Sequence, residues 1–272
     1  MKQIQIPGFS QQIKLTDKPT VSVYGDEGSG KTRFAATAPD PIGLLPIDDK
    51  SKRTFKPVAE KMGKIVFTPD ANYINHAEAQ KMAMLDSEKK ENLPIIKQFY
   101  TELHKRVLED AMKLASNRDI ASVVVDSNTV FWHWILFGHF GRRNKIDQFS
   151  RDAPNNDMQE FIGALKHKNL ILLHRSAEIY KNTGEVDAAG RPKGVGTGKF
   201  KSEGCTKLGY LINIEVELVS APKADDLDKK FRMRIRECQN NPLIEGEFMD
   251  EYGLKGEGIT WDNIMTVIGW ED

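Results

Sequence analysis

The sequence predicts an α/β fold: a mainly parallel central sheet flanked by helices, with a small C-terminal β/α extension. Three observations carry that expectation. A short β-branched run, TVSVY at 20–24, passes directly into a glycine-rich turn and then a helical segment. A second apolar run, IASVVV at 120–125, is continuous rather than alternating, as in a strand covered on both faces. Strand-like and helix-like segments alternate through residue 174, the pattern of parallel strands joined by helical crossovers.

In chain order, the lead-in places apolar residues at Ile4, Ile6, Phe9, Ile13 and Leu15, which fits an edge strand or hairpin. After the 20–24 strand, residues 32–37 read as a helix ended by Pro-Asp-Pro at 39–41. Residues 42–47 form a second strand, with Pro46 suited to its end. A short helix at 55–62 and a strand at 64–67 follow. Residues 75–118 are helical and broken near Pro94, with apolar positions near helical spacing from Ile95 to Leu114. Phe131, Trp134 and Phe137 mark one helix face, with Trp132 and Phe140 beside it, and are read as packing residues rather than a binding platform. An amphipathic segment at 158–167 leads to a buried strand at 170–173. Residues 183–207 hold Gly184, Gly190, Gly194, Gly196, Gly198 and Gly204, a density that reads as a mobile loop. Strands at 210–219 and 231–235 and a helix at 261–268 close the chain. Residues 1–220 are therefore expected to be one core with an N-terminal lead-in, and 221–272 an extension with an acidic tail, packed on it.

Composition excludes several classes. The 272 residues balance 39 Lys+Arg against 39 Asp+Glu and are 39% hydrophobic, too apolar for a disordered chain. No run is long and apolar enough to span a membrane, and the N-terminus lacks the apolar core of a signal peptide. Cys205 and Cys238 stand apart, outside any CxxC pattern, which argues against a disulfide framework or structural zinc site and for a reducing, cytoplasmic setting.

Gly25-Asp26-Glu27-Gly28-Ser29-Gly30-Lys31-Thr32 matches GxxxxGK[ST], with Arg33 next in the helix. The glycines let successive backbone N–H groups turn toward phosphate oxygens, and the helix start adds its own unpaired amides. Lys31 is placed to reach the β- and γ-phosphates, and the Thr32 hydroxyl to ligate Mg²⁺. Strand, loop and helix occur in the order such a nucleotide site requires. ATP and Mg²⁺ are the expected ligands.

A metal held this way needs a second acid at a strand end, and Asp126, ending IASVVV, fits; the alternative for it is a helix cap. Asp48-Asp49 ends another strand, GLLPI, at the edge where ligands gather. Asp49 is preferred there as the residue that positions water, because Asp48 suits a cap or an inward-facing position. A solvated acidic turn is the other reading.

On these residues the chain resembles the RecA-like ATPases, especially short phage-encoded members associated with recombination and single-strand annealing. GDEGSGKT at 25–32, VVVDSNT at 123–129 and NLILLHR at 169–175 carry the resemblance over roughly residues 18–220. It implies slow, DNA-stimulated ATP hydrolysis with Lys31, Asp49, Asp126 and His174 in catalysis. His174 then stands where the family has a polar γ-phosphate sensor, often Gln. It further implies single-stranded DNA as partner, a ring or filament of identical subunits, and contact with a phage single-strand binding protein, in recombination, annealing or replication. A small-molecule or nucleotide kinase, and a non-catalytic assembly switch, share the phosphate loop and remain alternatives.

Two segments are locally basic. Residues 141–151 contain Arg142, Arg143, Lys145 and Arg151 against Asp147, and 191–207 contain Arg191, Lys193, Lys199, Lys201 and Lys207 against Glu203. Phe200 lies between two lysines, so cations for phosphates and an aromatic for bases coincide. The resemblance puts DNA loops at both places, making Arg142, Arg143, Arg191, Lys193, Lys199, Phe200 and Lys201 candidates. A substrate lid, a subunit contact, or Lys199 or Lys201 reaching a neighbour's nucleotide would use the same residues. Residues 245–272 hold Glu245, Glu247, Asp250, Glu251, Glu257, Asp262, Glu271 and Asp272 against Lys255. Zero net charge is thus a cancellation between regions and does not exclude a nucleic-acid partner.

Overall fold

The computed structural model describes residues 18–86, 89–142, 148–186, 192–205, 208–220, 231–239, 241–246, 248–249 and 259–270. The lead-in strand, Arg143, Arg191 and most of the acidic tail lie outside the described residues.

One eight-stranded sheet organises the core. Its parallel strands are β1 (Thr20–Gly25), β2 (Ile42–Pro46), β3 (Val66–Phe67), β4 (Ser122–Asp126), β5 (Asn169–His174) and β8 (Ile214–Ser220). Antiparallel β9 (Phe231–Cys238) and β10 (Phe248–Met249) extend it, giving the order β10-β9-β8-β1-β5-β4-β2-β3. The α/β class with a mainly parallel sheet is therefore the observed one, with β5 inserted between the strand before the phosphate loop and the strand ending in Asp126. Pro46 is the last residue of β2, where its missing N–H costs no ladder bond.

Helices cover both faces. α1 (Lys31–Ala35), α2 (Asp49–Lys61) and α7 (Trp261–Ile268) close one side, where Phe34, Phe55, Trp261 and Ile264 meet Val21, Val23, Val216 and Ile235. α4 (Leu93–Ser116), α5 (Asn128–Phe140) and α6 (Asp152–Leu165) close the other, with α3 (His76–Met84) beside them. Pro94 sits in the first turn of α4, where its ring is tolerated. α2 begins earlier than apolar spacing suggests because Asp48 caps it, accepting from the Lys50 N–H at 3.1 Å. Phe131, Trp132 and Trp134 are buried in the core, as the packing reading required. Among the described residues, no helix is long and apolar enough to cross a membrane.

The loop expected over 183–207 is a correction. β6 (Ser176–Val186) and β7 (Pro192–Ser202) pair antiparallel as a separate two-stranded sheet. The glycines serve the pairing. A Cβ at Gly194 would come within 3.2 Å of Tyr180, and one at Gly196 would strike the Glu178 carboxylate. Gly198, at φ +65, occupies the register shift. Their alternation at every second position was the strand signal, masked by total glycine content.

Candidate nucleotide site

Register sets the site level. Tyr24 pairs with His174, Leu173 with Asp126, and Asp126 with Pro46, so β1, β5, β4 and β2 end together. Asp48, Asp126, His174 and Arg175 lie within two residues of that edge, next to the phosphate loop. Gly25 turns out of β1 in a conformation that L side chains rarely adopt, and a Cβ there would overlap the Leu218 carbonyl and crowd the Ser29 hydroxyl. Gly28 and Gly30 also have positive φ, at 78° and 95°, and Gly30 offers α1 no side-chain cap. Lys31 folds over its own loop, its Nζ donating to the carbonyls of Gly25 (2.6 Å) and Asp26 (2.8 Å). Burial lowers the Lys31 pKa, while the Asp126, Asp26 and Glu27 carboxylates pull it back up. Thr32 follows in the first turn of α1, and the Arg33 side chain faces solvent.

Asp126 lies among Ser51, Asp48 and Lys31. Burial pushes its carboxyl up to about 6, against the pull of the Ser51 hydrogen bond and Lys31, and the Asp48 charge adds to the rise. Its backbone carbonyl accepts from the N–H groups of Ile47 (2.7 Å) and Asp48 (3.2 Å), tying the ends of β2 and β4. Asp48 therefore does more than cap α2: it faces Asp126, and its Oδ2 stands 3.6 Å from Arg175 Nη2. Asp48 thus occupies both the capping and the inward-facing position that set it apart from Asp49, the residue expected to position water. Asp49 is the first residue of α2, and its side chain lies outside the described residues.

His174 ends β5 as expected, but it is 1% exposed and hemmed in on both ring nitrogens. Nδ1 is 3.3 Å from the Glu203 carbonyl and Nε2 3.5 Å from Asn128 Nδ2, an arrangement satisfied by the neutral Nδ1–H tautomer. Burial pushes its pKa down to about 4. His174, expected as a γ-phosphate sensor, is a buried tie between α5 and the foot of the hairpin. The exposed cation at that strand end is its neighbour, Arg175.

The hairpin stands on this same edge. Thr129 accepts from the Arg175 N–H (3.0 Å) and donates to the Glu203 carbonyl (2.6 Å), and the Glu203 N–H donates to the Arg175 carbonyl (2.9 Å), joining the two feet. Ser176, the first hairpin residue, donates to Asp26 Oδ1 in the phosphate loop at 3.0 Å. Tyr24 reaches the Phe200 carbonyl (3.3 Å), and Ser202 donates to Glu215 (2.6 Å). Sequence reading missed Ser51, Ser176 and Thr129 in these roles, because isolated hydroxyls leave no pattern. The S-x-x offset of Ser51 after the Asp48 cap was the one local hint.

The basic residues divide. Lys199, Phe200 and Lys201 are exposed on β7, and Lys193 is a β7 residue whose side chain lies outside the described residues. Arg142 is not a free cation: Nη2 donates to the carbonyls of Leu85 (2.7 Å) and Ala83 (3.3 Å) at the end of α3, where unpaired carbonyls attract positive charge. α5 carries it away from the site, running antiparallel along α4 with Gly138 against Thr101 and Gly141 against Leu93. Thirteen helical residues place Arg142 about 20 Å beyond Asp126.

Strand order and phosphate loop together define an α/β protein with a mainly parallel sheet and a P-loop-type glycine turn between β1 and α1. No family model matches the chain, and no curated protein matches it. Among solved structures, a KaiC-like protein from the hyperthermophilic archaeon Pyrococcus horikoshii is similar over 88% of each chain, at 15% identity and a TM-score of 0.40. That likeness is too slight to carry function, and the class rests on the chain's own topology and loop. The residues present fit a nucleotide with a divalent cation. The glycine loop is a cradle that a Cβ at Gly25 would fill. Among the described residues, Ser29 Oγ, Ser127 Oγ and Asn128 Oδ1 are buried at this edge with no hydrogen-bond partner in the protein. Asp126, raised by burial, is a carboxylate that a bound cation would stabilise.

Proposed function

We propose that the protein is a Mg²⁺-dependent ATPase whose turnover is coupled to single-stranded DNA held by the β6–β7 hairpin. The observation that supports this most directly is the meeting of Lys31 and Asp126, from opposite sides of β5, close enough to perturb one another. In this reading Lys31 exchanges the Gly25 and Asp26 carbonyls for phosphate oxygens. Thr32 and Asp126 are the residues that would hold Mg²⁺, with Ser51 orienting Asp126. When bound, the ion supplies charge neutralisation at the phosphates. Asp48 orients the attacking water, and Arg175, paired with Asp48 in an exposed and therefore weak ion pair, is free to turn to the γ-phosphate. Ser176 and Asp26 then convey the state of the loop to the hairpin.

The test is phosphate release with and without single-stranded DNA, for the native chain and for Lys31→Ala. DNA-stimulated hydrolysis that disappears in the variant supports the reading. Transfer of phosphate to a metabolite without a DNA response would make the protein a kinase. Nucleotide-dependent self-assembly without turnover would make it a switch. Assembly into a ring or filament, a phage origin and a single-strand binding protein as partner remain expectations of the resemblance.

A further inference from the structure

We propose that Asn128 is a second water-orienting residue of the site: its side-chain carbonyl, Oδ1, accepts one proton of the attacking water while Asp48 accepts the other. The inference rests on the hydrolytic part of the function proposed above and needs no DNA.

The direction of the amide follows from its neighbours. The Glu203 carbonyl can only accept, so the His174 Nδ1 that stands 3.3 Å from it carries the ring proton. Burial keeps the ring neutral, and Nε2 is then an acceptor. The group that meets Nε2 at 3.5 Å is accordingly the donor end of the amide, Asn128 Nδ2, and Oδ1 is turned the other way. Asn128 is fully buried, and its Oδ1 has no hydrogen-bond partner in the protein. Ser29 and Ser127 also carry unpaired hydroxyls, but a hydroxyl can give or accept a proton. An amide oxygen can only accept, so what is missing at Asn128 is a donor.

Topology puts this acceptor beside the reacting centre. β5 lies between β1, which leads into the phosphate loop, and β4, which ends in Asp126. His174 is the last residue of β5 and Asn128 the first of α5, so the pair borders the span between Lys31 and Asp126. Asp48 meets Asp126 from the β2 side, and the Asn128 amide lies on the β5 side. Phosphate oxygens offer acceptors, so water is the donor that the reaction brings. With one proton on Asp48 and the other on Oδ1, a lone pair of the water is left for phosphorus. Its oxygen bonds to the γ-phosphorus as the bond to the β–γ bridging oxygen breaks; that electron pair leaves with ADP, and the water's proton passes to the released phosphate. An amide is too weak a base to take the proton, and a loose transition state asks for orientation rather than deprotonation. The long contact to His174 lets the amide settle on the water as the site fills.

The test measures phosphate release from ATP with Mg²⁺, binding of a fluorescent ATP analogue and melting, all on the full chain. Asn128→Leu should lower kcat on the order of 10²-fold, the scale for losing one positioned group at a reacting centre, with KM and analogue binding unchanged. Its melting temperature should move little, because an apolar side chain of similar shape replaces an unpaired buried polar group. Asn128→Ala should lose kcat to the same extent, and it carries the test if the bulkier side chain prevents folding. His174→Leu removes the group that directs the amide and should also lower kcat, while the double variant with Asn128→Leu should be no slower than Asn128→Leu alone. Native kcat in the Asn128 variants overturns the proposal, as do losses that multiply in the double variant. A fall in kcat matched by lost ATP affinity and lower melting marks a structural role and overturns it too. A native chain that binds ATP without releasing phosphate removes the hydrolytic reading and Asn128 with it, whereas native turnover with Asn128→Leu unaffected removes Asn128 alone.

Discussion

At the carboxyl edge of β1, β5 and β4, every strand residue up to Asp126 is buried, whereas in the hairpin every described side chain beyond Glu178 and before Ser202 faces solvent. The two regions meet through a handful of hydrogen bonds at Asp26, Thr129, Ser176 and Glu203. Core packing on both faces fixes the first region, so its polar groups are held at set distances by strands that cannot shift singly. The second has only its feet to fix it. Chemistry that needs sub-ångström placement belongs at the edge, and recognition of a flexible polymer suits the hairpin.

The most severe way to break this division is at Lys31. Lys31→Ala should lower hydrolysis by on the order of 10²–10³-fold, the scale for losing one positioned group that stabilises transition-state charge. Thermal stability should fall little, because Lys31 bonds only to carbonyls of its own loop. Phosphate release and melting of the same preparation check both parts. Asp48→Asn should cost more hydrolysis than Asp49→Asn; a larger loss in Asp49→Asn would return the water-positioning role to the residue that sequence reading favoured.

The same division explains what the sequence disclosed. The phosphate loop was legible because each of its positions has one physical requirement, and Asp126 because an acid ends a continuous apolar run. Buried strands and α7 were legible for the same reason. The hairpin was not, because Gly194 and Gly196 raise glycine content while making room for Tyr180 and Glu178, and Gly198 occupies the register shift. Arg142 looked like a free cation because the sequence does not show that the carbonyl end of α3 comes to meet it. Asp48 and Asp49 could not be ranked from residue type alone, since either acid suits a strand end.

The next prediction concerns the buried tie between the regions. His174 is neutral in the fold, its pKa depressed from 6.5 to about 4. Above pH 6.5 the folded and unfolded chains both carry it uncharged, and stability is fully present. As pH falls from 6.5 toward 4 the unfolded chain takes up a proton that the fold refuses, so stability is lost, by up to roughly 3 kcal/mol. His104 and His133, also depressed by burial, act in the same direction. The diagnostic is therefore the difference between the native chain and His174→Gln in melting temperature across that window. A variant as acid-sensitive as the native chain would place His174 outside the buried core.

The smallest expected effect bears most directly on how the regions communicate. Ser176 is the one hairpin side chain bonded to the phosphate loop among the hydrogen bonds described, and its partner Asp26 is a loop residue whose carbonyl also receives Lys31. Phosphate that draws Lys31 away alters the setting of Asp26, and the hairpin foot feels it through one exposed hydrogen bond. Such a bond is worth about 0.5–1.5 kcal/mol, so Ser176→Ala should reduce DNA stimulation of hydrolysis only severalfold. Basal hydrolysis and single-stranded DNA binding should stay near native, since neither Lys31 nor the exposed residues of the hairpin are touched. Measuring all three on one variant separates coupling from its two ends. If stimulation persists undiminished, the remaining route is through Thr129, which joins both feet to the first turn of α5 behind Asp126. The hairpin would then read the metal side of the site rather than the phosphate side.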